Sequence, residues 1–154
     1  EIVVRLVGSE MCIRDRNWKD GMSTLMFAEF VNEINGELHS CDISKKNIES
    51  ARSFTKRYSE NTFFYVNDSV DFLNKFNKSI DLLYLDSFDG HNVELASKHQ
   101  LNEAKASINK LKPNSLVLLD DKGAKTLYSL KFFNDKGFKI IEESKNQLLL
   151  SQNK

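Results

Sequence analysis

Strand-like and helical segments alternate along this chain, and the alternation constrains the fold more than any other feature. Short apolar and β-branched runs predict strands over residues 37–42, 62–68, 80–86, 115–121, 138–143 and 147–152. Apolar residues at helical spacing predict helices over residues 23–35, 43–58, 70–76, 92–111 and 125–136. We therefore expect an α/β fold, a doubly wound and mostly parallel sheet with helices on both faces. Residues 144–146 alone separate the last two runs, which predicts an antiparallel C-terminal strand pair.

Composition restricts the partners and the compartment. The 154 residues include 22 Lys and Arg against 22 Asp and Glu, so the net charge is zero. This balance argues against a nucleic-acid partner bound through a general basic field. No apolar run approaches the ~20 residues that span a bilayer, so we expect no membrane partner. The two cysteines, Cys12 and Cys41, form neither a disulfide framework nor a CxxC pair, which favours a reducing cytoplasm.

The start of the chain is unlike the rest. Residues 1–16 read EIVVRLVGSEMCIRDR and closely resemble translated sequencing-adapter sequence, which occurs at the ends of open reading frames from environmental (metagenomic) assemblies. We interpret them as a non-native segment, and residues 17–154 as a single domain. The alternative is a genuine strand over residues 2–7 followed by a charged loop. The high β propensity of IVVRLV would let even a foreign segment fill a strand position.

Four of the predicted strands end in an acidic residue. These residues are Asp42, Asp68, Asp86, and Asp120 together with Asp121. The carboxyl ends of parallel strands meet at one edge of a sheet, where open α/β folds bind their ligands. We therefore expect these carboxylates to line one shared cavity.

A short turn, Gly21-Met22-Ser23-Thr24, directly precedes the first predicted helix. Glycine lets the backbone approach a ligand closely, and the helix N-terminus offers unpaired N–H groups. Ser23 or Thr24 could equally be a plain N-cap. Asp42 lies 21 residues after Gly21, the spacing at which an acid binds the ribose hydroxyls of an adenosine-type ligand. Alternatively, Asp42 caps the helix that begins near residue 43.

The segments GMST, HSCDIS, FYVNDSVDFL, DLLYLDS and LVLLDD, in this order and spacing, resemble the class I S-adenosylmethionine-dependent methyltransferases. They are most similar to the small O-methyltransferase-like branch. The resemblance spans residues 20–152 and implies a Rossmann-like methyltransferase fold. The implied cofactor contacts are Gly21, Met22, Ser23 and Thr24 on the methionine part, Asp42 on the ribose, Ile43, Asp68 and Ser69 at the adenine, and Asp86 near the methyl donor.

The resemblance is weakest before the Gly21 turn. In the family the loop begins with an acid-x-Gly on the first strand, whereas this chain has Asp15, Arg16 and Asn17 there and no glycine. The first strand of this fold is central in the sheet. Its replacement would therefore affect both cofactor binding and stability.

Some relatives of this branch bind a divalent cation that clamps a substrate diol. Asp86, Asp120 and Asp121 match the positions of its ligands, and all-oxygen ligation favours Mg²⁺ or Ca²⁺ over Zn²⁺. The alternative is that these acids cap helices or hold the cofactor's amine. Those relatives often have a lysine three residues after the first acid, where this chain has Asp89. His91 is therefore the candidate general base, and the alternative is a loop histidine without a role.

We expect S-adenosylmethionine-dependent methyl transfer to an oxygen of a small molecule or sugar, and we leave a homodimer open. The second reading is a truncated or degenerate methyltransferase-like domain that binds a nucleotide weakly or only supports a partner. A nicotinamide-dependent dehydrogenase is a third, disfavoured because no G-x-G-x-x-G is present. His99 and Glu103 lie one helical turn apart, typical of a surface pair, although both could face the cleft.

Overall fold

The computed structural model describes residues 3–7, 23–88 and 92–152. Gly21, Met22, Asp89 and His91, all singled out above, lie outside the described residues. Strands and helices alternate along the described chain as β1 Val3–Val7, α1 Ser23–Glu33, β2 Glu37–Asp42, α2 Lys45–Phe54, β3 Thr62–Val66, α3 Ser69–Lys75, β4 Ile80–Leu85, α4 Val93–Ser107, β5 Leu111–Leu119, α5 Thr126–Asp135, β6 Lys139–Glu143 and β7 Leu148–Ser151.

The strands form one sheet in the order β3-β2-β1-β4-β5-β7-β6. Strands β1 to β5 are parallel to one another. Strand β7 lies between β5 and β6 and is antiparallel to both. The expected mostly parallel sheet with an antiparallel C-terminal pair is confirmed. Strand β1, from the adapter-like segment, occupies the central position between β2 and β4.

Helices cover both faces of the sheet. On one face α3, α4 and α5 contribute Phe72, Ala104 and Phe133 to a core that also contains side chains of β4, β5 and β7. On the other face α1 packs Ala28 and Val31 against a smaller cluster from β1, β2 and β4. This two-sided burial explains the near-continuous apolar character of β4 and β5. Of the helices within the described residues, none combines the length and apolar character that a bilayer crossing requires.

Strand β5 begins four residues earlier than the sequence predicted. Lys112, Pro113 and Asn114 lie between the helix predicted over residues 92–111 and the strand predicted over residues 115–121, and all three belong to β5. Proline lacks the N–H that a regular ladder needs, and it is tolerated at irregular positions of a sheet. The register to β4 shifts between Ile80 and Leu82, and Pro113 lies in that irregular stretch.

Candidate functional site

A cavity of about 460 Å³ opens at the carboxyl edge of the sheet. Its walls come from the ends of β2, β3 and β4 and from α4, which is where open α/β sheets bind ligands. The lining residues are Cys41, Asp42, Ile43, Ser44, Asn47, Asn67, Asp68, Ser69, Ser87, Phe88 and His99. Four residues expected at the ribose and adenine are therefore brought together around one cavity, namely Asp42, Ile43, Asp68 and Ser69.

Asp42, the last residue of β2, belongs both to a helix start and to the cavity wall. Its Oδ1 accepts a hydrogen bond from the Ser44 backbone N–H at 2.6 Å, and its Oδ2 accepts one from Asn47 Nδ2 at 3.1 Å. Ser44 Oγ caps α2 by accepting from the Asn47 N–H at 3.3 Å. The N-cap of α2 is therefore Ser44 rather than Asp42, and Asp42 supports this helix start while it lines the cavity. Each carboxylate oxygen can accept a second hydrogen bond, so this support is compatible with binding of a ribose.

The opposite wall is a polar chain that runs from α3 to α4. Ser69 Oγ lies 2.8 Å from His99 Nε2, which lies 3.4 Å from Glu103 Oε1. Ser87 Oγ donates to the same Glu103 oxygen, and Glu103 is fully buried. The hydrogen bond to Glu103 raises the pKa of His99 above its ordinary value. His99 lines the cavity and Glu103 is buried, so this pair is not the surface contact that is typical of its helical spacing.

Phe88 stands at the mouth of this cavity in a strained conformation. Its φ is +70°, a left-handed backbone value that costs a non-glycine residue about 1–2 kcal/mol. Its ring centroid lies 5.5 Å from that of His99, and the residue is 44% exposed. An exposed aromatic ring held this way offers a face on which a planar base can stack.

The carboxylates at the ends of β4 and β5 form a second cluster. Tyr84 donates its hydroxyl to Asp120 Oδ2 at 2.6 Å and lies 3.3 Å from Asp86 Oδ2. Burial, with the two carboxylates, raises the pKa of Tyr84 far above its usual value, so its hydroxyl stays a donor. Burial also raises the pKa of Asp86 to about 6, against the opposing effect of the Lys125 ammonium.

Lys125 stands between the acids that we expected to bind a metal. Its Nζ lies 3.0 Å from Asp86 Oδ1 and 3.0 Å from Asp121 Oδ2. Within the part of the chain that the structure describes, no group of three or more His, Cys, Asp or Glu is arranged to hold a metal ion. The described residues do not fit the divalent cation that the sequence suggested, because an ammonium bridges two of its three expected ligands.

Two further expected cofactor residues begin α1. Ser23 is its first residue, and Thr24 is fully buried within the helix. Neither lines the described cavity. The turn before them, Gly21 and Met22, and the candidate base His91 lie outside the described residues, so their roles stay predictions.

Sequence reasoning missed two polar residues of the site, Lys125 and Tyr84. Lys125 follows Asp121 by four residues, and Tyr84 precedes Asp86 by two, so both carried a spacing signal. These signals are weak alone, since such spacings are common on solvated surfaces.

A family model described as a methyltransferase domain matches residues 18–122. No curated protein sequence is significantly similar to the chain. Among solved structures, NSun6 from Pyrococcus horikoshii with SFG has a TM-score of 0.70 and 16% identity, covering 99% of this chain and 48% of that one. SAH-bound methyltransferase PaMTH1 from Podospora anserina has a TM-score of 0.71 and 14% identity, covering 99% and 72%.

TrmN from Thermus thermophilus is similar to the same extent, with a TM-score of 0.70, 13% identity and coverage of 99% of this chain and 44% of that chain. At such identities the likeness shows the fold. The chain spans 48% of the NSun6 chain and 60% of a methyltransferase homolog protein from Pyrococcus horikoshii, which has a TM-score of 0.69 and 12% identity. The family match, which covers more than half of the chain, agrees with the sheet order and with the site at its carboxyl edge. The chain therefore belongs to the methyltransferase-domain family, within the class I S-adenosylmethionine-dependent methyltransferases.

Proposed function

We propose that this domain binds S-adenosylmethionine in the 460 Å³ cavity and supports transfer of its methyl group to an oxygen of a small molecule or sugar. The observation that carries the proposal is the meeting of Asp42, Ile43, Asp68 and Ser69 around that cavity. These are the positions at which the family resemblance implies contacts to ribose and adenine. They come from two strand ends and the helices that follow them.

Each of these side chains has chemistry suited to an adenosine. Asp42 is only 7% exposed and presents carboxylate oxygens that can accept from a ribose diol. Ile43, 77% exposed, offers an apolar surface to the base. Asp68 caps α3 by accepting from the Asp71 N–H at 3.0 Å, and it retains acceptor capacity for an exocyclic amine. Ser69 lies beside it, fixed by His99.

The methyl step needs positioning more than side-chain chemistry. The sulfonium supplies the electrophilic methyl carbon: the acceptor oxygen bonds to it, and the carbon–sulfur bond breaks with its electron pair on sulfur. The proton of the acceptor hydroxyl must leave to a base. Asp86 is the described candidate because its carboxylate is partly exposed and it follows β4 directly, one residue before Ser87, which lines the cavity. His91 is the second candidate. We assign no step to a metal ion.

A second candidate function is a degenerate domain that binds the nucleotide weakly and only supports a partner. The observation that favours it is the sequence before the Gly21 turn, where Asp15, Arg16 and Asn17 replace the family's acid-x-Gly. A domain of this kind would keep the adenosine contacts and lose hold of the methionine part. Binding and turnover therefore have to be measured separately.

Binding is tested by calorimetric titration of the purified chain with S-adenosylhomocysteine. We expect saturable binding, and about ten-fold or more weaker binding for Asp42→Asn. The loss of a hydrogen bond to a charged group is worth ~1.5–3 kcal/mol, and 1.4 kcal/mol is ten-fold. Asn keeps one acceptor for the Ser44 N–H, so the α2 start survives. The matched control is Asp135→Asn, on an exposed aspartate paired with Lys131. Equal affinity in wild type and Asp42→Asn would contradict the ribose assignment.

Turnover is tested by following S-adenosylhomocysteine formation with a panel of hydroxylated small molecules and sugars, and with an RNA oligonucleotide. Product with a sugar or small alcohol supports the proposal. Product with RNA alone contradicts the proposed acceptor class and the expectation of no nucleic-acid partner. Tight binding without turnover on any acceptor favours the degenerate domain.

A further inference from the structure

Lys125 is a buried lysine at the catalytic edge of the sheet. The residue is 4% exposed, and lysine is almost never so buried unless its ammonium is paired. Its Nζ forms ion pairs of 3.0 Å with Asp86 and with Asp121. Asp86 directly follows β4 and Asp121 lies two residues after β5, so the ammonium joins the ends of two neighbouring strands.

The turn between β5 and α5 fixes the position of Lys125. Its backbone N–H donates to the Asp121 carbonyl at 3.1 Å. Asp121 and Gly123 have φ values of +51° and +85°, and these two left-handed residues fold the turn back toward β4. The Lys122 N–H donates to the Asn146 carbonyl at 2.8 Å, and the Gly123 N–H donates to Thr126 Oγ1 at 3.0 Å. These hydrogen bonds fix the backbone of the turn before Lys125, and the fixed backbone sets the position of its ammonium.

The same place is where a divalent cation would have to lie. Mg²⁺ and Ca²⁺ bind several oxygens at ~2.0–2.6 Å, with carboxylates as the preferred protein ligands. Asp86, Asp120 and Asp121 are the carboxylates available here, and two of them already contact Nζ. The third, Asp120, accepts from Tyr84. An ammonium and a metal ion cannot both occupy the space between Asp86 and Asp121.

We propose that Lys125 is the built-in cation of this site, so that its ammonium replaces a divalent ion and holds Asp86 and Asp121 in place. It is a positioning residue, since its own side chain is buried behind the two carboxylates. The role of Asp86 in methyl transfer rests on the function proposed above, whereas the replacement of a metal ion does not.

A buried ammonium at this position also restricts the class of methyl acceptor. A metal-dependent site clamps two adjacent oxygens of a diol on the ion. A site whose positive charge is a buried ammonium offers no open coordination positions, so it does not select for a chelating diol. The acceptor class that fits is a single hydroxyl group.

The test is direct cation binding, measured by calorimetric titration with Mg²⁺, Ca²⁺ and Mn²⁺ on the whole chain. We expect no saturable binding by the wild type in the millimolar range. Lys125→Met removes the charge at similar length and leaves three carboxylates, so it should bind these cations at least about ten-fold more tightly than the wild type. The matched control is Lys122→Met, which removes a charge from the same turn but from a lysine paired with Glu143, and it should behave as the wild type.

Saturable Mg²⁺ binding by the wild type overturns the proposal without any variant, so the test does not depend on Lys125→Met folding. A folded Lys125→Met that binds no more cation than the wild type overturns it as well. Lys125→Arg keeps the charge and should stay insensitive to cations, and gained binding there would show that charge is not what excludes the ion. S-adenosylhomocysteine titrations of the same samples separate this failure from a failure of the proposed function.

Discussion

His99 lies where three elements meet, and its protonation links the cavity wall to stability. It faces Ser69 of α3, Phe88 after β4 and Glu103 of its own helix, with the Asp68 carboxylate as a further charge nearby. The hydrogen bond that His99 donates to the Glu103 carboxylate is the largest effect that raises the pKa of His99, and this pKa lies above the unfolded value of about 6.5. The folded state therefore binds this proton more tightly than the unfolded state.

The pH dependence of stability follows from that sign. The contribution of His99 is complete below about pH 6.5 and is lost as the pH rises through its higher folded pKa. We expect Glu103→Gln to flatten this fall, because the glutamine carries no charge to favour the imidazolium. Urea unfolding between pH 6 and 9 measures the slope for each protein. The control is Glu94→Gln, an exposed glutamate of the same helix paired with Lys98. The same slope in Glu103→Gln and wild type would show that the pair does not set it.

Single residues were predictable where their position follows from a strand end. Asp42 and Asp68 could be placed because each follows a strand-like run directly, and parallel strands end at one edge. The role of Lys125 could not be found this way. It depends on two positive φ values in the preceding turn and on the pairing of β4 with β5. The sequence shows only a lysine in an acidic loop and predicts neither feature.

At the scale of elements, helices α1 and α5 end differently, because the residue with a left-handed backbone is a glycine after α5 and an asparagine after α1. In the sequence, Gly36 and Gly137 each directly follow a segment predicted to be helical, where helices often end. Gly137 does follow α5 in a left-handed conformation with φ of +89°. After α1 the left-handed residue is Asn35 instead, with φ of +52°, and the Gly36 N–H donates to the Val31 carbonyl at 2.7 Å. Asparagine tolerates the left-handed region, so the sequence pattern alone could not show whether Asn35 or Gly36 adopts it.

Gly137→Ala should therefore lower the free energy of unfolding by about 1 kcal/mol, the usual cost of a left-handed backbone for an L-residue. Among the described residues, no heavy atom beyond Gly137 and its two chain neighbours lies within 4 Å of the position that a Cβ would take, so the cost is conformational rather than steric. Gly137→Asn is the matched variant and should cost less, as asparagine does at Asn35. Urea denaturation of the three proteins measures both differences. Equal losses for Ala and Asn would indicate that the backbone conformation is not the cause.

At the scale of the whole molecule, the central strand comes from the part of the sequence that least resembles the family. We propose that residues 1–16 are foreign in origin and nevertheless supply β1. Val3 and Val4 are buried, one in each of the two cores. A β-prone apolar run suffices for this position, since a central parallel strand needs backbone pairing on both sides and apolar side chains on both faces.

A chain that begins at Asn17 should therefore lose cooperative folding. β1 pairs with β2 from Val3↔Glu37 to Val7↔Cys41 and with β4 from Val4↔Leu82 to Val7↔Leu85, so its removal opens the sheet between two buried strands. We expect no sigmoidal urea transition by circular dichroism for this variant. The control is Val4→Ala, which removes two buried methyl groups, costs about 1–3 kcal/mol and keeps a single transition. If the shortened chain unfolds as cooperatively as the full one, β1 is not needed for folding, and β2 and β4 form a stable sheet without it.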